Sequence, residues 1–213
     1  MLFVQDNQDG AVTPQVRQSM LGSQRDGVLQ KNAVFDESGL VTLPDNTSSV
    51  EASTLPCAAV TGWNCPFGVK DRAIQAGEIL PTQGTGGVSL FATQFAIALG
   101  ATVLSSTSSV EKENYLKFLG VSHVSNYNND SDWGETAKSL TPDGLGVHHI
   151  DEVGAETSIP QSMQAIRPEG VVSLVGFLGG KPGNPTSFST IQNQNCIVRG
   201  YQCRFAEIVW RNE

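Results

Sequence analysis

Glu78-Ile79-Leu80-Pro81-Thr82-Gln83-Gly84-Thr85-Gly86-Gly87-Val88-Ser89, continuing through Leu90-Phe91-Ala92-Thr93-Gln94-Phe95-Ala96-Ile97-Ala98-Leu99-Gly100, decides how the rest of the chain is read. An apolar run stops abruptly at glycines that permit a tight turn and close backbone approach, and an amphipathic helix follows. Val88, Phe91, Ala92, Phe95, Ala96 and Leu99 recur at three- and four-residue steps and are expected to form its buried stripe, with Gly100 as the C-cap. Ala101-Thr102-Val103-Leu104-Ser105 is short and β-branched, as a second buried parallel strand should be. Together these segments make one βαβ unit. The glycines of Gly84-Thr85-Gly86-Gly87-Val88 let backbone N–H groups approach a ligand closely. The helix start adds unpaired donors and the positive end of its dipole, so the diphosphate of a dinucleotide is the expected guest.

The alternation of strand and helix continues downstream. A helix is expected over Glu111 to Leu119, with Tyr115, Leu116 and Leu119 buried, and then a strand over Val121 to Asn126. Asp132 to Leu140 reads as helix, Val147 to Val153 as a fourth strand ending at Gly154, Ser158 to Ile166 as helix and Val171 to Val175 as a fifth strand. A polar loop over Lys181 to Gln194 leads to a sixth strand starting at Ile197-Val198. This order is that of an α/β doubly wound parallel sheet, with ligands gathered at the carboxyl ends of its strands. Pro81 is an anomaly, because it falls in what should be the central first strand, where proline deletes a ladder donor.

Upstream the pattern differs. Met1 to about Val28 is polar and turn-rich, and short β-like runs between Gly27 and Leu43 suggest a few antiparallel strands in need of partners. Ser48 to Ser53 looks like a helix start, and Ala52 to Trp63 reads as a small-residue helix interrupted by Pro56.

The chain has 213 residues and a formal net charge of −8, and its 13 basic residues are scattered, which argues against a nucleic-acid surface. No apolar run reaches bilayer length, and Met1-Leu2-Phe3-Val4-Gln5-Asp6 lacks the basic and apolar regions of an export signal, so a soluble cytoplasmic protein is expected, without nucleic-acid or membrane partners. Cys57, Cys65, Cys196 and Cys203 show no paired spacing and read as reduced thiols.

Gly39-Leu40-Val41, Leu43-Pro44-Asp45, Glu51-Ala52, Thr54-Leu55-Pro56-Cys57-Ala58-Ala59, Thr61, Trp63-Asn64 and Gln83-Gly84-Thr85-Gly86-Gly87-Val88-Ser89 occur in this order. They are followed by Leu119-Gly120, Asn126-Tyr127, Glu152-Val153-Gly154, Ala165-Ile166-Arg167-Pro168, Gly170 to Phe177 and Ile197-Val198-Arg199-Gly200. The set resembles the medium-chain dehydrogenase/reductase superfamily, closest to its zinc-type alcohol dehydrogenase and quinone reductase-like members. The resemblance implies a Rossmann domain over residues 56–213, lacking the usual return segment, preceded at residues 1–55 by a remnant of a β-rich, GroES-like catalytic domain. It implies an NAD(P)H-dependent oxidoreductase acting on a carbonyl, alcohol, enone or quinone. The chain resembles a version truncated at both ends, which leaves open an inactive nucleotide-binding remnant or a zinc alcohol dehydrogenase completed by upstream sequence.

At the end of the second strand stand Ser105, Ser106, Thr107, Ser108 and Ser109, where an acidic residue would bind the ribose hydroxyls of NAD. No carboxylate is present to repel a 2′-phosphate, so NADP(H) is expected over NAD(H), with Ser106 and Ser108 in the cofactor-binding set. By resemblance, Lys112 and Tyr127 grip the 2′-phosphate, Thr61 touches the nicotinamide side, and Gly154, Gly176, Phe177 and Leu178 let the nicotinamide and its ribose approach the backbone. Cys57 matches one ligand of the catalytic zinc in the zinc-dependent branch. Three protein ligands are required, however, and the adjacent His148 and His149 point to opposite faces of a strand. No metal site is therefore expected, and Cys57 reads as a small buried thiol. His123, His148 and His149 form no Ser-His-Asp pattern, and no proton donor is nameable. A small-molecule substrate is the expected partner; oligomeric state stays open, a homodimer included.

Overall fold

The computed structural model describes residues 18–22, 24–152, 157–175, 197–200 and 207–208. The antiparallel strands expected between Gly27 and Leu43 do not form, and the only regular element there is a 3-10 turn at Glu37–Gly39. Alternating β-type residues are not enough without a neighbour to pair with and a face to bury; Leu29 and Val34 are 106% and 97% exposed. Helix α1 (Ser49–Ser53) begins as its sequence demands, in a capping box: Glu51 N–H donates to Ser48 Oγ at 3.3 Å, while Ser48 N–H donates to the Glu51 carboxylate at 2.9 Å. Pro56 then sits in a π turn at Leu55–Ala59, and α2 (Val60–Phe67) follows, so the expected small-residue helix is present in three pieces.

Strands β1 (Ile79–Gln83), β2 (Thr102–Thr107) and β3 (His123–Asn126) form one parallel sheet in that order. Two helices supply the crossovers, α3 (Gly87–Leu99) and α4 (Val110–Phe118). After α5 (Trp133–Ser139), β4 (Val147–Glu152), α6 (Ser158–Ala165) and β5 (Ile166–Leu174) come β6 (Ile197–Gly200) and β7 (Glu207–Ile208). Strands β4 to β6 run parallel, and β7 pairs antiparallel to β6. Two apolar clusters lie on opposite sides of the strands. Leu80 and Val103 pack with Ala92, Ala96 and Leu116 of α3 and α4, whereas Ile79 and Leu104 pack with Trp133, Ala137, Ile159 and Met163 of α5 and α6. Helices on both faces make this the expected doubly wound α/β arrangement.

Several boundaries move for local reasons. Ile166 opens β5 instead of ending α6: as the C-cap it is already extended, with φ of −75° and ψ of 138°. On α4 only Leu116 is fully buried and Tyr115 is 48% exposed, correcting the expected three-residue face. On α3 the surface against the sheet is made of Ser89, Ala92, Thr93 and Ala96, and Leu99 is exposed. Small residues let the helix approach closely enough for a buried hydroxyl chain, in which Thr82 Oγ1 lies 2.6 Å from Ser105 Oγ and 3.2 Å from Thr93 Oγ1. Phe91 and Phe95 turn sideways instead, joining Trp63 and Phe67 of α2 in ring contacts with centroids 4.4 to 5.9 Å apart. Gly62 makes this α2–α3 contact possible: a Cβ there would fall 2.8 Å from Val88 O and 2.9 Å from Ala92 N.

Pro81 is fully inside β1, and the hydrogen bonds around it show what it costs. Glu78 O accepts from Thr102 N–H, and Gly84 N–H donates to Ser106 O, both at 2.8 Å. Even-numbered residues of β1 therefore turn their backbone groups toward β2, and odd-numbered ones turn theirs toward β4. The donor that Pro81 lacks is one that would have faced β4. Strand β4 lies beside β1, yet no ladder joins them, and the strands divide into a sheet of three and a sheet of four. Among the described residues no helix is long and apolar enough to cross a membrane.

Candidate functional site

The turn leaving β1 has the shape its glycines allow. Gly84 has φ of +80°, a left-handed conformation that disfavours any side chain. Gly86 is the N-cap of α3 in extended backbone, with no side-chain cap, and the first turn of the helix holds no acidic residue. The first intrahelical bond runs from Leu90 N–H to Gly86 O, so the amides of Gly87, Val88 and Ser89 have no partner within the helix. Helix α4 begins differently: Ser109 Oγ accepts from Lys112 N–H, and Glu111 and Glu113 occupy the first turn. The start of α4 is thus satisfied by its own chain, while that of α3 is open to an anion. A Cβ built on Gly84 or Gly86 meets nothing within 4 Å, so the space over the turn is free; on Gly87 it would lie 3.1 Å from Ala58 Cβ. Ser89 Oγ donates to Gln83 O at 2.9 Å and pins the turn to its helix.

The second wall comes from the end of β2. Ser106 is buried, and its carbonyl accepts from Gly84 N–H. Tyr127 N–H donates to Thr107 O at 3.0 Å, and Asn128 Nδ2 donates to Ser108 O at 3.0 Å. The loop after β3 is thereby clasped to the loop after β2, which brings Ser108, Lys112 and Tyr127 to the same edge of the sheet as the glycine turn. Lys112 is exposed and no described carboxylate pairs with it; Tyr127 is half exposed. Thr61 lies half-buried on α2, next to the glycine that touches Val88 at the start of α3. Gly154, Gly176, Phe177 and Leu178 lie outside the described residues, as do Cys196 and Cys203.

Thr107 was not singled out by its sequence. Its Oγ1 is buried and has no hydrogen-bond partner, at the last position of β2. A buried hydroxyl without a partner is costly and invites one from a ligand. The available signal was its place at the end of the second strand, hidden because five hydroxyl-bearing residues stand in a row there.

The remaining chemistry-bearing residues do not converge on this edge. His148 is exposed, with Nε2 2.9 Å from an Arg167 guanidinium nitrogen and 3.4 Å from a Glu78 carboxylate oxygen. His149 is buried on the opposite face, with Nε2 2.7 Å from Arg72 O and Nδ1 unpartnered. Cys57 is exposed, correcting the expectation of a buried thiol: the π turn directs it outward, whereas Cys65 on α2 is buried. Among the described residues no three His, Cys, Asp or Glu side chains cluster closely enough to hold a metal, so they do not fit a zinc ion, which needs three protein ligands. A pocket of about 390 Å³ on the outer edge of β3, lined in part by His123, Ser125, Asn126, Asp130 and Thr136, includes none of the glycine-turn residues.

Burial pushes the His149 imidazole below its ordinary value of 6.5, against the opposing pull of the Arg72 carbonyl and the Glu78 charge. Because the folded value is the lower one, the unfolded chain takes up the proton first. The stability that His149 contributes is complete above 6.5 and is lost as the pH falls from there toward the folded value. Thermal melts of wild type and His149→Gln between about pH 7 and pH 5 should show a shallower loss of stability in the variant; parallel profiles would contradict this.

With the geometry in hand, the likenesses to known proteins are specific. The family model described as zinc-binding dehydrogenase matches residues 87–208. A zinc-type alcohol dehydrogenase-like protein of Schizosaccharomyces pombe is 43% identical over 195 residues, covering 90% of this chain and 56% of that protein. The crystal structure of an NAD-dependent alcohol dehydrogenase is 27% identical, with a TM-score of 0.70 over 85% of this chain and 52% of that one. A quinone oxidoreductase of Pseudomonas syringae pv. Tomato DC3000 is 25% identical, with a TM-score of 0.65 over 79% of this chain and 51% of that one. The chain spans about half the length of the curated relatives it matches.

Proposed function

The chain belongs to the zinc-binding dehydrogenase family, within the medium-chain dehydrogenase/reductase superfamily, and on that premise we propose that it binds a nicotinamide dinucleotide, NADP(H) in preference to NAD(H), at the carboxyl edge of β1 to β3. The observation that carries the reading is the uncapped start of α3 beneath an open glycine turn, beside a buried hydroxyl that lacks a partner. The amides of Gly87, Val88 and Ser89 would hold the diphosphate, with Gly84, Thr85 and Gly86 shaping the turn. Ser106, Thr107 and Ser108 would meet the adenosine ribose, where an acidic residue would otherwise oppose a 2′-phosphate. Lys112 and Tyr127 would hold that phosphate, and Thr61 with Gly154, Gly176, Phe177 and Leu178 would border the nicotinamide.

The bound dinucleotide would supply hydride to, or accept it from, a carbonyl, alcohol, enone or quinone. The chain's part would be to fix the cofactor and exclude water from its reactive face. Support for this range comes from the names of relatives, an alcohol dehydrogenase-like protein and a quinone oxidoreductase among them. A second reading is binding of the dinucleotide without turnover.

Fluorescence titration with NADPH and NADH tests the binding half: saturable binding of both, about tenfold tighter for NADPH, is expected from one added charge-assisted contact. Failure to bind either would reject the reading. Oxidation of NADPH with a panel of quinones and enones then separates the enzyme from the binding protein.

A further inference from the structure

Strands β1 and β4 lie side by side without a ladder, with Pro81 offering no donor toward β4, at the point where the strand order reverses and each half of the proposed cofactor site begins. What closes this seam is side chains. At the amino end, the carboxylate of Glu78, just before β1, lies 3.4 Å from His148 Nε2 on β4. At the carboxyl end, Gln83 Nε2 donates to Ser162 Oγ on α6 at 3.1 Å, and both residues are buried. Gln83 is the last residue before the glycine turn, and its carbonyl accepts from Ser89 Oγ in the first turn of α3. One residue thus grips α3 through its backbone and α6 through its side chain. Side-chain direction supports the assignment: Thr82 points to the α3 face, toward Thr93, so Gln83 points to the opposite face, where α6 lies.

We propose that Gln83 is a positioning residue for the dinucleotide. Its amide, held by Ser162, takes over the work of the strand pairing that is missing between β1 and β4 and keeps the glycine turn aligned with the half of the domain that carries β4 to β6. Apolar packing alone would hold the halves together without setting their register, because dispersion contacts are non-directional, whereas a buried amide–hydroxyl bond fixes one alignment. The part of the proposal that concerns cofactor affinity rests on the proposed function; the part that concerns the seam does not.

The test compares Gln83→Met, which keeps the side-chain volume and removes the amide, with Ser162→Ala, each alone and combined with Pro81→Val. Two readouts are used on the intact chain: hydrogen exchange of the β1 and β4 segments, and the dissociation constant for NADPH. Gln83→Met is expected to speed exchange of β1 and β4 and weaken NADPH about tenfold, and Ser162→Ala to do the same to a smaller extent. Pro81→Val restores a donor facing β4 and is expected to return both readouts to within about twofold of wild type, while changing wild type itself little. Unchanged exchange in Gln83→Met would overturn the proposal, as would Pro81→Val acting equally in every background. Should wild type bind neither NADPH nor NADH, the cofactor reading falls, and the exchange measurements still decide whether Gln83 and Ser162 hold the seam. Should Gln83→Met fail to fold, Ser162→Ala with and without Pro81→Val carries the same comparison.

Discussion

Gly86→Val is expected to fold and melt like wild type and to lose roughly 100-fold in affinity for NADPH, equivalent to about 2.7 kcal/mol. The two halves of this expectation come from separate observations. Gly86 has φ of −74° and ψ of 164°, an extended conformation open to any residue, and a Cβ there touches nothing within 4 Å. The free protein therefore has no objection to a side chain. The space that side chain would fill is the approach to the unpartnered amides of α3, and displacing a diphosphate from them removes at least one or two charge-assisted hydrogen bonds, worth about 1.5 to 3 kcal/mol each. Gly84 would be a poor substitute for this experiment, because its φ of +80° ties any replacement to backbone strain. Melting curves beside fluorescence titrations check the result; unchanged affinity would remove the diphosphate from this turn.

The second large effect is expected at Lys112. Lys112→Glu should weaken NADPH by about 30-fold while leaving NADH within about threefold, because the exchange replaces one charge-assisted contact with a like-charge encounter at the 2′-phosphate alone. Lys112 is exposed and its backbone N–H, not its side chain, serves the Ser109 cap, so the start of α4 should survive. The added carboxylate also falls in the first turn of a helix, where negative charge is favourable. Parallel titrations with the two cofactors at fixed salt separate selectivity from general damage: equal weakening of both would place Lys112 away from the phosphate.

Much of this was legible in the chain because local rules agreed with the global fold. The glycine turn, the capping box at Ser48 and Glu51, the Gly100 C-cap and the alternation of strands and helices each follow from short-range chemistry, and the structure contains all of them. Pro81 could be recognised as an anomaly but not resolved, because only the direction of the ladder bonds reveals that its missing donor faces β4. The β-like runs at 27–43 misled for a related reason: a strand is made by its neighbour, and periodicity says nothing of whether one is supplied. Gln83 and Thr107 were invisible as special residues, since their meaning lies in Ser162, 79 positions away, and in an empty hydrogen-bonding position within the fold. The outward turn of Cys57 likewise depends on a π turn that composition does not specify.

The central claim is that freed amides at the start of α3 receive the cofactor's diphosphate. It is tested most directly by following the backbone amide resonances of Gly87, Val88 and Ser89 in nitrogen-labelled protein as NADPH is added. These signals should shift in step with the fluorescence titration and saturate with it, and remain still in Gly86→Val over the same range. NADPH binding that saturates by fluorescence while these three amides do not move would contradict the account.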